Sequence, residues 1–141
     1  MRVLLDTNVI LDLMLERDPW RAEAEAIAEA GADGRLQAHA CASSITDIFY
    51  ISRKLVGAEK ARRIVRNCLD NLQVLSVTRD LLDSAERRGG SDYEDDLQIE
   101  CASEDRLDAI VTRNPKDFAG SPILVLTPAE LLARLPKAPD A

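Results

Sequence analysis

A three-layer α/β/α sandwich around a central parallel sheet of four to five strands is the architecture this chain specifies, and three features point to it. Apolar runs of four to seven residues recur along the sequence, a segment of helical periodicity follows nearly every one, and most of the runs lack the polar alternation of a half-exposed strand. The first run, Met1-Arg2-Val3-Leu4-Leu5, stops on a carboxylate, Asp6. Ligands in open α/β sheets gather at the carboxyl ends of parallel strands. An acid there is desolvated on the strand side and needs a cation, a metal or a set of donors to stay ionised. A strand-end cap accounts for it equally well at this point.

After Asp6, the residues Val9, Ile10, Leu13 and Met14 fall on one helical face up to the break at Asp18-Pro19. A second helix fits Arg21 to Ala30, ended by Gly31 or Gly34, and Leu36 to Ala42 reads as the second strand. Ser43 to Leu55 and Ala58 to Leu72 read as helices, and Gln73 to Val77 as the third strand. Thr78 to Arg88 is a helix stopped by Gly89-Gly90, and Ser91 to Asp105 is another. Ala109 to Thr112 and Ile123 to Leu126 complete the sheet, and Thr127-Pro128 opens a last helix to Leu135 with an N-cap and a proline at the first helical position. These elements form one domain, residues 1–135, followed by a loose tail, residues 136–141.

At 141 residues and 46% apolar content the chain can bury one real core. The longest apolar stretch is far short of a membrane span, and Met1-Arg2 leads straight into a strand without a signal-peptide pattern, so a cytoplasmic protein with no membrane partner is expected. Cys41, Cys68 and Cys101 are odd in number and too widely spaced for a zinc knuckle or a disulfide framework, and are expected as buried small hydrophobes. A net charge of −7 argues against loose electrostatic adhesion to nucleic acid. It leaves room for a nuclease whose carboxylates are neutralised by metal. Lys60, Arg62, Arg63 and Arg66 crowd one helix, which reads as a solvated face or as a surface that tracks phosphates.

Acids recur at two further places. Ser44 and Asp47 have the spacing of a capping box, while the helical wheel puts Asp47 at the edge of an apolar face formed by Ile45, Ile48, Phe49, Leu55 and Val56. The segment Ser91-Asp92-Tyr93-Glu94-Asp95-Asp96 is the densest acid in the chain. On the wheel Asp95 shares a face with Ile99 and Ala102, making it the inward carboxylate with Asp92 as helper one turn earlier, whereas Asp96 falls on an outward stripe with Glu100 and Ser103. At the end of the fourth strand, Thr112-Arg113-Asn114-Pro115-Lys116-Asp117 returns polar groups to the edge occupied by Asp6. Asn114-Pro115 also makes an ordinary turn, and Asp117 can cap the short segment after it.

Other chemistries lack their parts. His39, the only histidine, falls inside a strand, and neither a nucleophile elbow nor a glycine-rich phosphate loop is present. What remains is a set of carboxylates, suited to Mg²⁺ or Mn²⁺.

The segments Val3-Leu4-Leu5-Asp6-Thr7-Asn8-Val9, Ser43-Ser44-Ile45-Thr46-Asp47, Asp92-Tyr93-Glu94-Asp95-Asp96-Leu97-Gln98 and Val111-Thr112-Arg113-Asn114-Pro115-Lys116-Asp117-Phe118, in that order, resemble the four motifs of PIN domains. The likeness runs from Arg2 to the last helix and is closest to the bacterial members that include VapC-type toxins and their stand-alone relatives. It implies a Mg²⁺- or Mn²⁺-dependent endoribonuclease, with Asp6 and Asp95 as metal ligands and Asp47 and Asp117 as further catalytic acids. Asn114 or Asp117 would complete the pocket, and Thr7, Asn8 and Thr112 would orient ligands or water, with Ser44 and Asp92 as supporting candidates. It also implies an RNA substrate, a homodimer and, in the toxin branch, a cognate antitoxin. Two positions depart from the family: Asp47 stands where glutamate is usual, and Asn114 where aspartate is frequent. A catalytically weak module that binds RNA or protein is the alternative those departures suggest.

Overall fold

A computed structural model describes residues 1–140; Ala141, the end of the expected loose tail, lies outside the described residues. The strands are β1 (Arg2–Leu5), β2 (Gln37–Cys41), β3 (Gln73–Leu75), β4 (Ala109–Val111) and β5 (Leu124–Leu126). They form one sheet in the order β3-β2-β1-β4-β5, and every pairing is parallel. The helices are α1 (Thr7–Met14), α2 (Arg21–Ala32), α3 (Ala42–Val56), α4 (Ala58–Asn71), α5 (Arg79–Arg88), α6 (Tyr93–Glu104) and α7 (Pro128–Arg134).

Strand periodicity divides the core in two. Val3, Leu5, Ala109 and Val111 pack with Ile10, Leu11, Ile27, Ile48, Cys68 and Leu131, so α1 to α4 and α7 cover one face. Leu4 and Ile110 point the other way, onto Ala85, Leu97, Cys101, Ala102 and Phe118 of α5, α6 and a 3₁₀ turn at Pro115–Phe118. Burial on both faces explains why these strands read as continuous apolar runs.

The connectivity positions the site. From β1 the chain builds outward through β2 to β3, then returns to the opposite flank of β1 as β4, which makes the β1/β4 boundary the switch point of the sheet. Leu5 and Val111 are register partners there, and the Asp6 amide donates to the Val111 carbonyl at 2.9 Å. Asp6 and Thr112 therefore leave adjacent strands side by side.

Four local expectations need correction. Helix α3 begins at Ala42 directly from β2, so Ser44 is its third residue, buried, and makes no capping box with Asp47. Leu55 and Val56 are exposed rather than buried, because they line an open groove with Met14 and Ile64 instead of packing into the core. Asp117 lies within the 3₁₀ turn instead of capping it. Asp96 is buried, not outward: α6 is packed between the sheet and α5, and hides six consecutive or near-consecutive residues from Asp96 to Ala102. The expected cap of the last helix is present, Thr127 Oγ1 accepting from the Glu130 amide and Glu130 Oε1 from the Thr127 amide, each at 3.1 Å.

Among the described residues, no helix is long and apolar enough to cross a membrane. His39 is buried in β2 with Nδ1 3.2 Å from the Val3 carbonyl and 3.1 Å from that of Gln37, a packed histidine as expected. The three cysteines are buried and free.

Candidate active site

Asp6 is the residue on which the site converges. Its side chain accepts from Thr112 Oγ1 at 2.8 Å on one oxygen and from Gln98 Nε2 at 3.2 Å on the other. Thr112 is fixed in turn by the Asn114 amide, which donates to its hydroxyl at 3.1 Å. Burial still outweighs these donors and holds the Asp6 carboxyl above the usual carboxylate range, with the charge of Asp117 adding to the rise.

Helix α6 supplies the second acid. Asp92 caps it, accepting from the Asp95 amide at 3.0 Å, so Asp92 is tied to the backbone while Asp95 is free to face the sheet edge. Desolvation pushes the Asp95 carboxyl up to about 7, helped by the negative charges of Asp92, Asp6, Asp117 and Asp96. The structure thus brings Asp6, Asp95 and Asp117 into one electrostatic neighbourhood, and Asn114 and Thr112 stand at its rim.

Asp47 goes elsewhere in the same edge. Its carboxyl lies near Glu94, which sequence reasoning missed, and Glu94 is pushed up to about 8, first by burial and then by the neighbouring Asp47 carboxylate. The Thr7 hydroxyl is 2.9 Å from Ser44 Oγ and 3.3 Å from Glu94 Oε1. With one proton on Thr7, the relay that satisfies all three runs from Ser44 through Thr7 to Glu94. Glu94 had a signal in the sequence: it shares a helical stripe with Gln98 and Cys101, both buried. Gln98 carried the same signal.

Asn8 is exposed and lies at a second network. The buried Asp12 binds Arg17 Nε at 2.9 Å and Arg113 Nε at 2.8 Å, Arg17 donates to the Asn8 carbonyl at 3.2 Å, and the Arg113 guanidinium stacks 3.8 Å above the Trp20 ring. Asp12 thereby ties the last turn of α1 to the segment that carries Thr112 and Asn114.

Asp96 has a structural job. Its carboxylate accepts from the Gly90 amide at 2.9 Å, and a Cβ at Gly90 would lie 2.5 Å from its Oδ1. Gly90→Ala is therefore expected to displace the carboxylate, break this bond and cost about 1–3 kcal/mol in a urea melt.

Asp6, Asp47, Glu94, Asp95 and Asp117 have no lysine or arginine partner among the described residues, although ten ion pairs form elsewhere in the protein. The oxygen-only donor set, with two of its acids held well above their usual range, suits a hard divalent cation. No three acidic, cysteine or histidine side chains converge on one point among the described residues. Two carboxylates with the remaining positions left to water and phosphate oxygens is the manner in which Mg²⁺ is commonly held.

The raised acids make a thermal prediction. Glu94 and Asp95 bind protons more tightly in the folded state than at their ordinary values of 4.5 and 3.8, so the folded protein carries more protons across the interval from about pH 4 to about pH 8. The melting temperature of the metal-free protein should fall as pH rises through that interval. Glu94→Gln should flatten the upper part of the fall, and millimolar Mg²⁺ should flatten it further.

A PIN domain family model matches residues 2–116, which spans the first three acidic segments and the fourth as far as Lys116, one residue short of Asp117. The chain belongs to the PIN domain family. Solved structures with the same PIN fold include a toxin-antitoxin complex from Klebsiella pneumoniae, 26% identical with a TM-score of 0.66, the match covering 89% of this chain and 97% of that one. VapC20 of Mycobacterium tuberculosis, described as a sarcin-ricin loop cleaving toxin, is 12% identical with a TM-score of 0.71, covering 84% and 95%. DNA-bound VapBC from Salmonella typhimurium is 17% identical with a TM-score of 0.67, covering 91% and 98%. No curated protein matches by sequence.

Proposed function

We propose that this PIN domain is a metal-dependent endoribonuclease, and that Asp6 and Asp95 hold its divalent cation. The observation that carries the reading is the concentration of desolvated, unpaired carboxylates at the switch point of the sheet. Mg²⁺ or Mn²⁺, when bound there, would neutralise a phosphodiester oxygen and lower the pKa of water. The chain's own residues do the rest. Thr112 and Gln98 fix the rotamer of Asp6, Asn114 fixes Thr112, and Asp117 adds negative charge that strengthens cation binding. Glu94, carrying a proton near neutral pH beside Asp47 and linked to Thr7 and Ser44, is placed to give or take a proton during phosphodiester hydrolysis. Asn8 and Asp92 remain in the supporting set, at the start of α1 and of α6.

A toxin role with an antitoxin partner is supported by the toxin-antitoxin complexes among the structures of like fold. A protein partner also has a place to bind: an apolar cleft of about 610 Å³ lined by Leu13, Met14, Ile27, Leu36 and Leu72. It continues past Met14 to the exposed Leu55 and Val56. A homodimer would use the same kind of surface. The cytoplasm is the compartment this reading implies.

The experiment is cleavage of a panel of structured RNAs with Mg²⁺, with Mn²⁺ and with EDTA, beside an Asp95→Asn control. Cleavage that needs the metal and Asp95, leaving 5′-phosphate and 3′-hydroxyl ends, is expected. Equal cleavage by both proteins would remove the claim, and RNA binding without cleavage in any metal would favour a binding module.

A further inference from the structure

The positive charge of this acidic protein is concentrated at one place. From Ile48 to Leu69 there are six basic residues against one acid, whereas the remainder of the chain holds twelve against twenty-four. This segment is the hairpin of α3 and α4, turned at Gly57, whose φ of 88° favours glycine. Arg63 and Arg66 are engaged by Glu59 and Asp70 on their own helix. Lys60 and Arg63 line the apolar groove with Met14 and Leu55. Arg53, Lys54 and Arg62 are exposed and have no carboxylate partner among the described residues.

These three cations are tied to the site by helical geometry. Tyr50 and Lys54 follow Asp47 by three and seven residues, so all three lie along one stripe of α3, with Lys54 roughly 10 Å from Asp47 along the axis. Arg53 follows Phe49 by four, on the adjoining stripe. The Arg62 guanidinium sits 5.6 Å from the Phe49 ring centroid, which holds it beside α3, and Phe49 meets Tyr50 edge to face at 5.1 Å. Tyr50 itself is 59% exposed. Unpaired cations interleaved with an exposed ring, leading away from an acidic pocket, have the composition of a single-strand track: phosphates on the cations, a base on the ring.

Resting on the nuclease reading for the site it leads to, we propose that the α3–α4 hairpin binds the single-stranded RNA that flanks the cleaved phosphodiester, through Arg53, Lys54, Arg62 and Tyr50. The face supplies the phosphate attraction that the protein's overall charge denies it, and it sets on which side of the cut the substrate must be unpaired.

The test is binding of a fluorescent single-stranded RNA in EDTA, so that cleavage plays no part, across a salt series. The triple variant Arg53→Gln/Lys54→Gln/Arg62→Gln changes exposed positions only, and a melting curve confirms its fold. Its affinity should fall at least tenfold, and the slope of log K against log salt should shrink by about 2, as three lost phosphate contacts require. Tyr50→Ala should weaken binding roughly tenfold with the salt slope unchanged. Wild-type affinity and slope in the triple variant would overturn the proposal, as would loss of an acidic protein partner with RNA binding intact. The nuclease reading fails separately: RNA binding that depends on these residues, with no cleavage in any metal, would leave the track standing and remove the enzyme.

Discussion

Asp6→Asn should abolish RNA cleavage, by on the order of a thousandfold or more, while the protein stays folded and melts no lower than wild type at neutral pH. The loss of activity follows from the proposed role, since a neutral amide is a poor ligand for a hard cation and one member of a cooperating set is removed. The retained stability follows from the structure. Asp6 is an acid whose burial raises its pKa, so its charge costs folding energy in the absence of metal. The new amide keeps the shape and can accept from Thr112, while Gln98, whose buried Oε1 has no partner among the described residues, can turn to accept from the amide nitrogen. Metal-dependent cleavage assays and melting curves on the same preparation check both halves. A variant that cleaves like wild type would show that Asp6 is structural.

Asp12→Ala should do the opposite, destabilising the protein by about 3 kcal/mol, or roughly 10 °C in melting temperature. The Asp12 side chain is almost wholly buried between two guanidinium groups. Its removal strands Arg17 and Arg113, both partly exposed, so the cost falls at the lower end of that for breaking a buried pair. Because the penalty is a stranded charge, Asp12→Ala/Arg113→Met should recover part of the loss, which a denaturant double-mutant cycle measures. Equal or additive losses in the double variant would mean that the network contributes packing alone. Activity should fall with stability, since Arg113 lies between Thr112 and Asn114.

How far the sequence carried depended on which forces were local. The strands and helices were legible because the central strands β1 and β4 are buried on both faces and several helix ends carry their own signal, as at Thr127-Pro128 and Gly89-Gly90. The placement of Asp6 was legible for the same reason: a parallel strand can end on an acid only where a pocket or a partner awaits it. The wheel failed for Asp96, because it assumes one buried face and α6 is enclosed by the sheet and α5 together, while Asp95 is left half-buried. It failed again at Leu55 and Val56, where apolar residues are exposed along an open groove. Glu94 and Gln98 share a helical stripe with Cys101, a signal that the surrounding acids masked. A glutamate among four acids at a helix start reads as dipole complementarity, and only the folded arrangement brings it to Thr7 and Asp47.

Sequence spacing says nothing about Asp12 either. Its partners Arg17 and Arg113 are five and 101 residues away, and the second comes within reach only because β4 returns to the flank of β1. The topology that opens the switch point also closes this network beside it.

The claim that Asp6 and Asp95 hold a divalent cation is tested most directly by a crystal structure with Mn²⁺, using the anomalous signal of the metal. The account predicts a peak within coordination distance of the Asp6 and Asp95 carboxylates, lost in crystals of Asp95→Asn. A well-occupied peak on other acids, with Asp6 and Asp95 left without metal, would contradict it.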